Sequence, residues 1–190
     1  MSAAIAPIQH SVAAASRTST APGSSAVLRN LLWPAGWYLL ALTVVVLDQL
    51  TKGLADQYLQ YGTPVPLTPW FNLTLQYNSG AAFSFLSDAG GWQRYLFSVV
   101  AGMISLVLIV WLSRLSRGQY LLGLALALIL GGAIGNLWDR LVLGHVIDFI
   151  SVHYGGYYFP AFNLADSAIT VGAVCMILDS FMVRGQADAA

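Results

Sequence analysis

Four separate stretches of about 20 apolar residues govern what this chain can fold into, because a helix needs that length to cross the hydrocarbon of a bilayer. They run from about Trp33 to Leu54, Trp92 to Leu112, Tyr120 to Trp138 and Leu164 to Val183. Inside a bilayer each must satisfy its own backbone groups, so each is expected to be a helix. Of the 190 residues, 57% are hydrophobic and only 8% charged, against about 25% charged in soluble domains. The formal net charge is zero, which leaves no electrostatic case for a nucleic-acid partner. Every acid is an aspartate. A chain without glutamate cannot carry the His-Glu-x-x-His zinc helix, whose glutamate is the general base. The single cysteine, Cys175, lies in an apolar run; it offers neither a disulfide framework nor a thiolate cluster and is expected to be buried and inert.

Residues 1–30 are rich in Ala, Ser, Thr and Pro, with Arg17 and Arg29 as their only charges. No apolar run of signal-peptide length interrupts them, so they are expected to be a disordered tail. Residues 31–184 then form one four-helix domain, and 185–190 a short polar tail. Basic residues divide unevenly between the two ends of the spans. Arg17, Arg29, Arg114, Arg117 and Arg184 fall on one side, and Lys52, Arg94 and Arg140 on the other. Positive charge is retained in the cytoplasm. Both termini are therefore expected there, with the two longer connections on the outer side.

Those connections carry the β signals. Pro64, Pro66 and Pro69 exclude a helix from the middle of the first. Beyond them Phe71 to Asn78 alternates apolar and polar, the period of a half-buried strand with Phe71, Leu73, Leu75 and Tyr77 on the greasy face. Ser79-Gly80 reads as a turn or bulge, followed by a second apolar stretch, AAFSFL. Asn78 is either a turn residue or a polar group aimed into a site, the turn being the simpler reading. In the second connection Gly155-Gly156 separates two aromatic and branched runs, a hairpin signal. A tight hairpin pairs Tyr154 with Tyr157 and, counting back, Asp148 with Asn163, with Pro160 disturbing the ladder. The expected fold is a mainly α membrane protein. It has four transmembrane helices, a small extracytoplasmic β-sheet between helices 1 and 2, and a β-hairpin-like segment between helices 3 and 4.

The chemistry concentrates in residues 131–166. Each polar residue there has an ordinary reading. Asn163 and Asp166 have the spacing of a helix N-cap and its capping-box acid. Asp139 and Arg140 read as a surface pair, and Asp48 and Lys52 as an i, i+4 ion pair at a helix end near the interface. Gly131 and Gly135 are spaced for close helix packing. His145 and His153 lack metal-ligating companions and read as interfacial aromatics. Together they say more, because an acid at a membrane without an evident basic partner points to function. If the hairpin returns Asp148 to the first turn of the fourth helix, Asp148 and Asp166 face one another. Two facing carboxyls cannot both ionise cheaply, so they share a proton. One can then draw a proton from an attacking water while the other polarises a peptide carbonyl. Asn136 and Arg140, one turn apart, can hold substrate backbone or orient the acids. Two other classes compete: a small transporter or proton-relay protein using Asp48, Asp148 and Asp166 as relay carboxylates, and a scaffold built on glycine packing. A transport site belongs at the midplane in broken helices, whereas both key aspartates flank spans at one end.

Four blocks, DQLTK (48–52), NLTLQYNSGAAFSFL (72–86), GNLWDRLVLGHVIDF (135–149) and FPAFNLADSAI (159–169), resemble in order the signature blocks of the lipoprotein signal peptidases, or signal peptidase II. The resemblance covers about Leu31 to Val183. It implies an aspartic peptidase of the bacterial inner membrane that removes signal peptides from prolipoproteins, just before the diacylglyceryl-modified cysteine; a monomer is expected. Asp148 and Asp166 would be its catalytic pair. Asn78, Gly80, Asn136, Asp139, Arg140 and Asn163 would line or brace the site, and Asp48 and Lys52 belong to the first block. The family fold is a four-helix bundle with an extracytoplasmic sheet cradling the substrate. Membrane lipids and the lipid-modified prolipoprotein are the implied partners, with no metal or organic cofactor.

Overall fold

Each of the four apolar stretches is a helix long enough to cross a bilayer, with spans over Trp33–Tyr58, Trp92–Ser113, Tyr120–Val142 and Leu164–Met182. The structure, a computed structural model, describes residues 24–80 and 92–187. In chain order the elements are α1 (Ser24–Tyr58), β1 (Val65–Thr68), β2 (Phe71–Asn78), α2 (Trp92–Ser113), α3 (Tyr120–Val142), β3 (Val146–Tyr154), β4 (Tyr157–Tyr158) and α4 (Leu164–Ala187). Three helices outrun their expected bounds. α1 starts at Ser24, inside the expected tail, because SSAVLRNLL consists mostly of residues at ease in a helix. The expected disorder of residues 1–23 lies outside the described residues, as does the stretch AAFSFL. α4 continues three residues into the expected polar tail, and α3 passes Trp138 to Val142. Asp139 and Arg140 therefore sit in the last turn of α3, and Asp139 is buried. The expected surface pair does not exist.

α3 is the central helix. It packs against α1, α2 and α4, whereas α2 and α4 do not meet among the described residues. Leu126, Leu130 and Ala127 of α3 form the core with Leu108 and Leu112 of α2 and Ala41 of α1. Glycines set the closeness. A Cβ on Gly132 would lie 2.4 Å from the Ala165 carbonyl oxygen, and one on Gly135 would lie 2.6 Å from Asp48 Oδ2. The glycine spacing thus does pack helices, and it also opens room for a carboxylate.

The two outer connections join in one antiparallel sheet, ordered β1-β2-β3-β4, where the sequence suggested two separate pieces. Long-range pairing of β2 with β3 links them, and local pattern does not report such pairing. The greasy-face expectation for β2 fails in part. Asn72, Thr74 and Leu75 are buried, Phe71 and Leu73 half-buried, and Tyr77 exposed. The register shifts between Leu73 and Gln76, so one face cannot hold all four apolar residues. The hairpin pairs Tyr154 with Tyr157 as expected. Past Pro160 the ladder slips by one, and Ile150 bridges Phe162. Asn163 is therefore not opposite Asp148 on the backbone and reaches it by its side chain instead.

Asp48 and Lys52 do form an ion pair, at 2.7 Å, and it is buried inside the protein. Lys52 Nζ also lies 2.9 Å from Asp139 Oδ2, and none of the three residues is more than 1% exposed. The cluster ties four elements together. Asp48 Oδ1 accepts the Ala165 N–H at 2.9 Å, at the N-terminus of α4. Asp139 Oδ2 accepts the Ile147 N–H of β3 at 3.3 Å. Gln49 Nε2 donates to Asp139 Oδ1 at 2.8 Å.

Two stability measurements in detergent check this packing. Gly132→Ala should destabilise by about 1–3 kcal/mol, because the obstructing atom is backbone. Gly102→Ala on α2, where a Cβ meets nothing within 4 Å, should not destabilise; equal losses would refute the close-approach argument. Lys52→Met should cost about 3–5 kcal/mol, the usual penalty for leaving buried carboxylates without their counter-ion.

Candidate active site

Asp148 is the third residue of β3 and Asp166 lies in the first turn of α4. The local reason for the second placement is a capping box. Asn163 Oδ1 accepts the Asp166 N–H at 2.9 Å, and Asp166 Oδ2 accepts the Asn163 N–H at 3.2 Å. The two orphan donors at the helix start are thereby satisfied reciprocally, as the spacing suggested.

Three asparagines converge on the two carboxylates, and each is oriented in the same way. Asn163 Oδ1 is taken by the Asp166 N–H, so its Nδ2 turns to Asp148 Oδ1 at 2.7 Å. Asn78 Oδ1 accepts the Gly80 N–H at 2.9 Å, leaving its Nδ2 to donate to Asp148 Oδ2 at 3.1 Å. Asn136 Oδ1 accepts from Lys52 Nζ at 2.9 Å, so its Nδ2 donates to Asp166 Oδ1 at 2.8 Å. In every case a group that can only donate holds the amide oxygen, which fixes the direction of the amide. Asn78 is thus both the turn residue and the group aimed into the site. Gly80 permits that turn through a φ of 107°, a backbone conformation that favours glycine.

The surroundings are those of a reactive carboxyl. Asp148 is only 3% exposed. Burial, followed by the nearby charge of Asp166, pushes its pKa up to about 7, against the opposing pull of the Asn78 and Asn163 hydrogen bonds. A carboxyl in that condition keeps its proton well above the usual carboxylate range. Arg140 lies beside them, its guanidinium 5.5 Å from the Phe97 ring centroid. Its Nη1 donates to the Asn136 carbonyl at 3.3 Å, and its buried Nε has no protein partner among the described residues. An apolar cleft of about 410 Å³ opens directly beside the pair, walled by Phe159, Phe162, Asp166, Ser167, Thr170 and Val171. Among the described residues no group of three or more His, Cys, Asp or Glu is placed to hold a metal ion.

The sequence-derived residues thus fall into two layers. Asn78, Asn136, Asp148, Asn163 and Asp166 meet directly, with Arg140 adjacent and Gly80 shaping the turn. Asp48, Lys52 and Asp139 form the layer behind. Two supporting residues were not singled out from the sequence. Gln49 bridges Asp48 and Asp139, and its signal was its place in the DQLTK block. Arg94 donates through Nε to the Arg140 carbonyl at 2.7 Å and through Nη2 to the Leu141 carbonyl at 3.1 Å. It thereby holds the end of α3, where free carbonyls favour a cation.

Comparison with known proteins agrees with this geometry. Residues 40–182 match the family model described as signal peptidase (SPase) II. A lipoprotein signal peptidase of Acinetobacter baumannii is 53% identical over 157 residues, covering 83% of this chain and 87% of its own. One from Pseudomonas fluorescens is 57% identical over 148 residues, covering 77% and 87%. A bacterial membrane enzyme whose structure was solved by the in meso method at 2.3 Å resolution superposes with a TM-score of 0.69 at 31% identity, over 78% of this chain and 88% of that one. By sequence across most of its length and by fold, this chain belongs to the signal peptidase II family of peptidases.

Proposed function

We propose that this chain cleaves the signal peptide from diacylglyceryl-modified prolipoproteins, on the N-terminal side of the lipidated cysteine, with Asp148 and Asp166 as its catalytic dyad. The observation that carries the mechanism is the convergence of three oriented amides on these two carboxylates. The ionised member takes a proton from a water as the water oxygen attacks the scissile carbonyl. The protonated member gives its proton to the carbonyl oxygen and later serves the departing amine. The pair titrates as a unit. Arg140, whose Nε has no protein partner among the described residues, holds a substrate carbonyl. Membership of a lipoprotein signal peptidase family supports the prolipoprotein as substrate.

The site faces the outer side of a bacterial inner membrane, with both termini in the cytoplasm. The basic residues support this reading. At the end of the spans that carries the dyad, Lys52 is spent on Asp48 and Asp139, and Arg94 on the end of α3. Arg114 and Arg117 lie in the connection at the other end. A transporter is less well supported: Asp48 is engaged by Lys52 and the Ala165 N–H, and both key acids lie at helix or strand starts near one end.

The test is cleavage of a lipidated prolipoprotein by the purified protein in detergent. Asp148→Asn and Asp166→Asn should each lower turnover by about 10²–10⁴-fold, and a folded double variant that still cleaves would refute the dyad. Turnover should also fall as pH rises through about 7, where the shared proton is lost. Stability should follow the same group. The folded protein keeps a proton on Asp148 up to about 7, whereas the unfolded chain releases it near 3.8, so raising the pH across that window costs stability. The melting temperature of the wild type should therefore drop from about pH 5 to about pH 8, and Asp148→Asn should flatten that slope.

A further inference from the structure

We infer that the apolar cleft between α4 and the segment 159–162 that leads into it seats one acyl chain of the substrate's diacylglyceryl group, and so sets the register of the scissile bond. The inference rests on the prolipoprotein reading above and adds to it a binding site for the lipid. Its lining carries the argument. Asp166 is both a member of the proposed dyad and a wall of the cleft. Whatever fills the cleft is therefore within a few bonds of the reacting carbonyl, and the glyceryl thioether of the cysteine beyond that carbonyl meets this condition.

Apart from Asp166, the side chains of the cleft offer little to a peptide backbone. The Ser167 hydroxyl donates to the Asn163 carbonyl at 2.9 Å, and the Thr170 hydroxyl to the Asp166 carbonyl at 2.8 Å. Both hydroxyls on the wall are thus turned back into the helix and present hydrocarbon. Phe159 and Phe162 close the opposite side as an edge-to-face pair, their centroids 6.3 Å apart. A peptide backbone laid here would leave N–H and C=O groups unpaired, at a cost an acyl chain does not incur. Past the cleft α4 exposes Val171, Val174, Ile177 and Leu178, so a chain leaving it enters bilayer hydrocarbon without crossing a polar surface.

Because lipid tails are as apolar as the cleft, moving a chain from one to the other gains little affinity. The effect is on position. A chain seated against Phe162 and Val171 holds the modified cysteine at a fixed distance from Asp166, and small misplacements of a scissile group are costly in rate.

The experiment uses one peptide sequence whose cysteine carries S-diacylglyceryl groups with acetyl, octanoyl or palmitoyl chains. Cleavage is measured with the wild type, Val171→Phe and Val174→Phe. Val171 and Val174 are 52% and 50% exposed on the same helix, so both variants should fold, but only Val171 lines the cleft. The wild type should prefer the longer chains. Val171→Phe should lower kcat/KM for the palmitoyl substrate by about tenfold while sparing the shortest chain cleaved, and Val174→Phe should change neither. A wild type indifferent to chain length, or a Val171→Phe variant that keeps the wild-type length dependence, overturns the inference. So does a Val171→Phe effect that depends on the residue before the cysteine and not on chain length, because the cleft then holds a peptide side chain. A wild type that cleaves none of the three substrates refutes the prolipoprotein reading itself, a separate failure.

Discussion

The structure depends on one buried ammonium. Lys52 Nζ touches Asp48, Asp139 and Asn136 at 2.7–2.9 Å, and each contact reaches a different part of the fold. Through Asp48 it meets the N-terminus of α4, and through Asp139 the first residues of β3. Through Asn136 it meets Asp166. A buried charge is tolerated only when paired and hydrogen-bonded, so the lysine holds these elements in a single arrangement. The charges also bear on the proposed dyad. Asp48, Asp139, Lys52 and Arg140 together sum to zero. The proposed dyad with one proton adds a single negative charge to this interior, and loss of that proton would add a second.

A fixed donor behind each side chain explains why asparagine recurs around the carboxylates. An amide can face a carboxylate either way round, and only the nitrogen end is favourable. Asn78, Asn136 and Asn163 each have the oxygen held by a donor that cannot accept: the Gly80 N–H, Lys52 Nζ and the Asp166 N–H respectively. The wrong orientation would set amine against amine. Aspartate in these positions would set carboxylate against carboxylate, and the longer side chain of glutamine has more freedom to lose. Preorganisation of this kind places donors before the reaction begins, which is where electrostatic catalysis gains most.

Much of this was legible in the sequence, and the failures have identifiable physical causes. The spans were plain because an apolar run of that length has few other uses. Asp148 and Asp166 stood out because carboxylates are rare in such a chain and a Gly-Gly turn lies between them. The Asp48–Lys52 pair was read correctly from i, i+4 spacing, but its burial and its further partner Asp139 were not foreseen. Spacing shows that two residues share a face, not what that face meets. Gly135 carried the missing signal: its lack of a Cβ makes room for Asp48 Oδ2, though from the sequence it reads only as helix packing. The alternation in β2 misled because a register shift near Leu75 breaks the rule that alternate residues share a face. Counting back along the hairpin reached the right partner for Asp148 by a wrong route. The ladder slips at Pro160, and the length of the Asn163 side chain makes up the difference.

The proposed dyad is not symmetric, and the asymmetry assigns its parts. Asp166 lies in the first turn of α4, where the partial positive charge of the helix N-terminus favours negative charge, and it accepts the Asn163 N–H and the Asn136 amide. Asp148 lies on a strand, which supplies no comparable dipole. It is buried nearly completely, with side-chain amides as its donors. In the proposed mechanism Asp166 is thus the member suited to take a proton from water, and Asp148 the member suited to polarise the carbonyl. The capping box that gave Asp166 its ordinary reading is thus part of the reason it can serve as the base: the interaction that starts α4 also holds the ionised carboxylate in place.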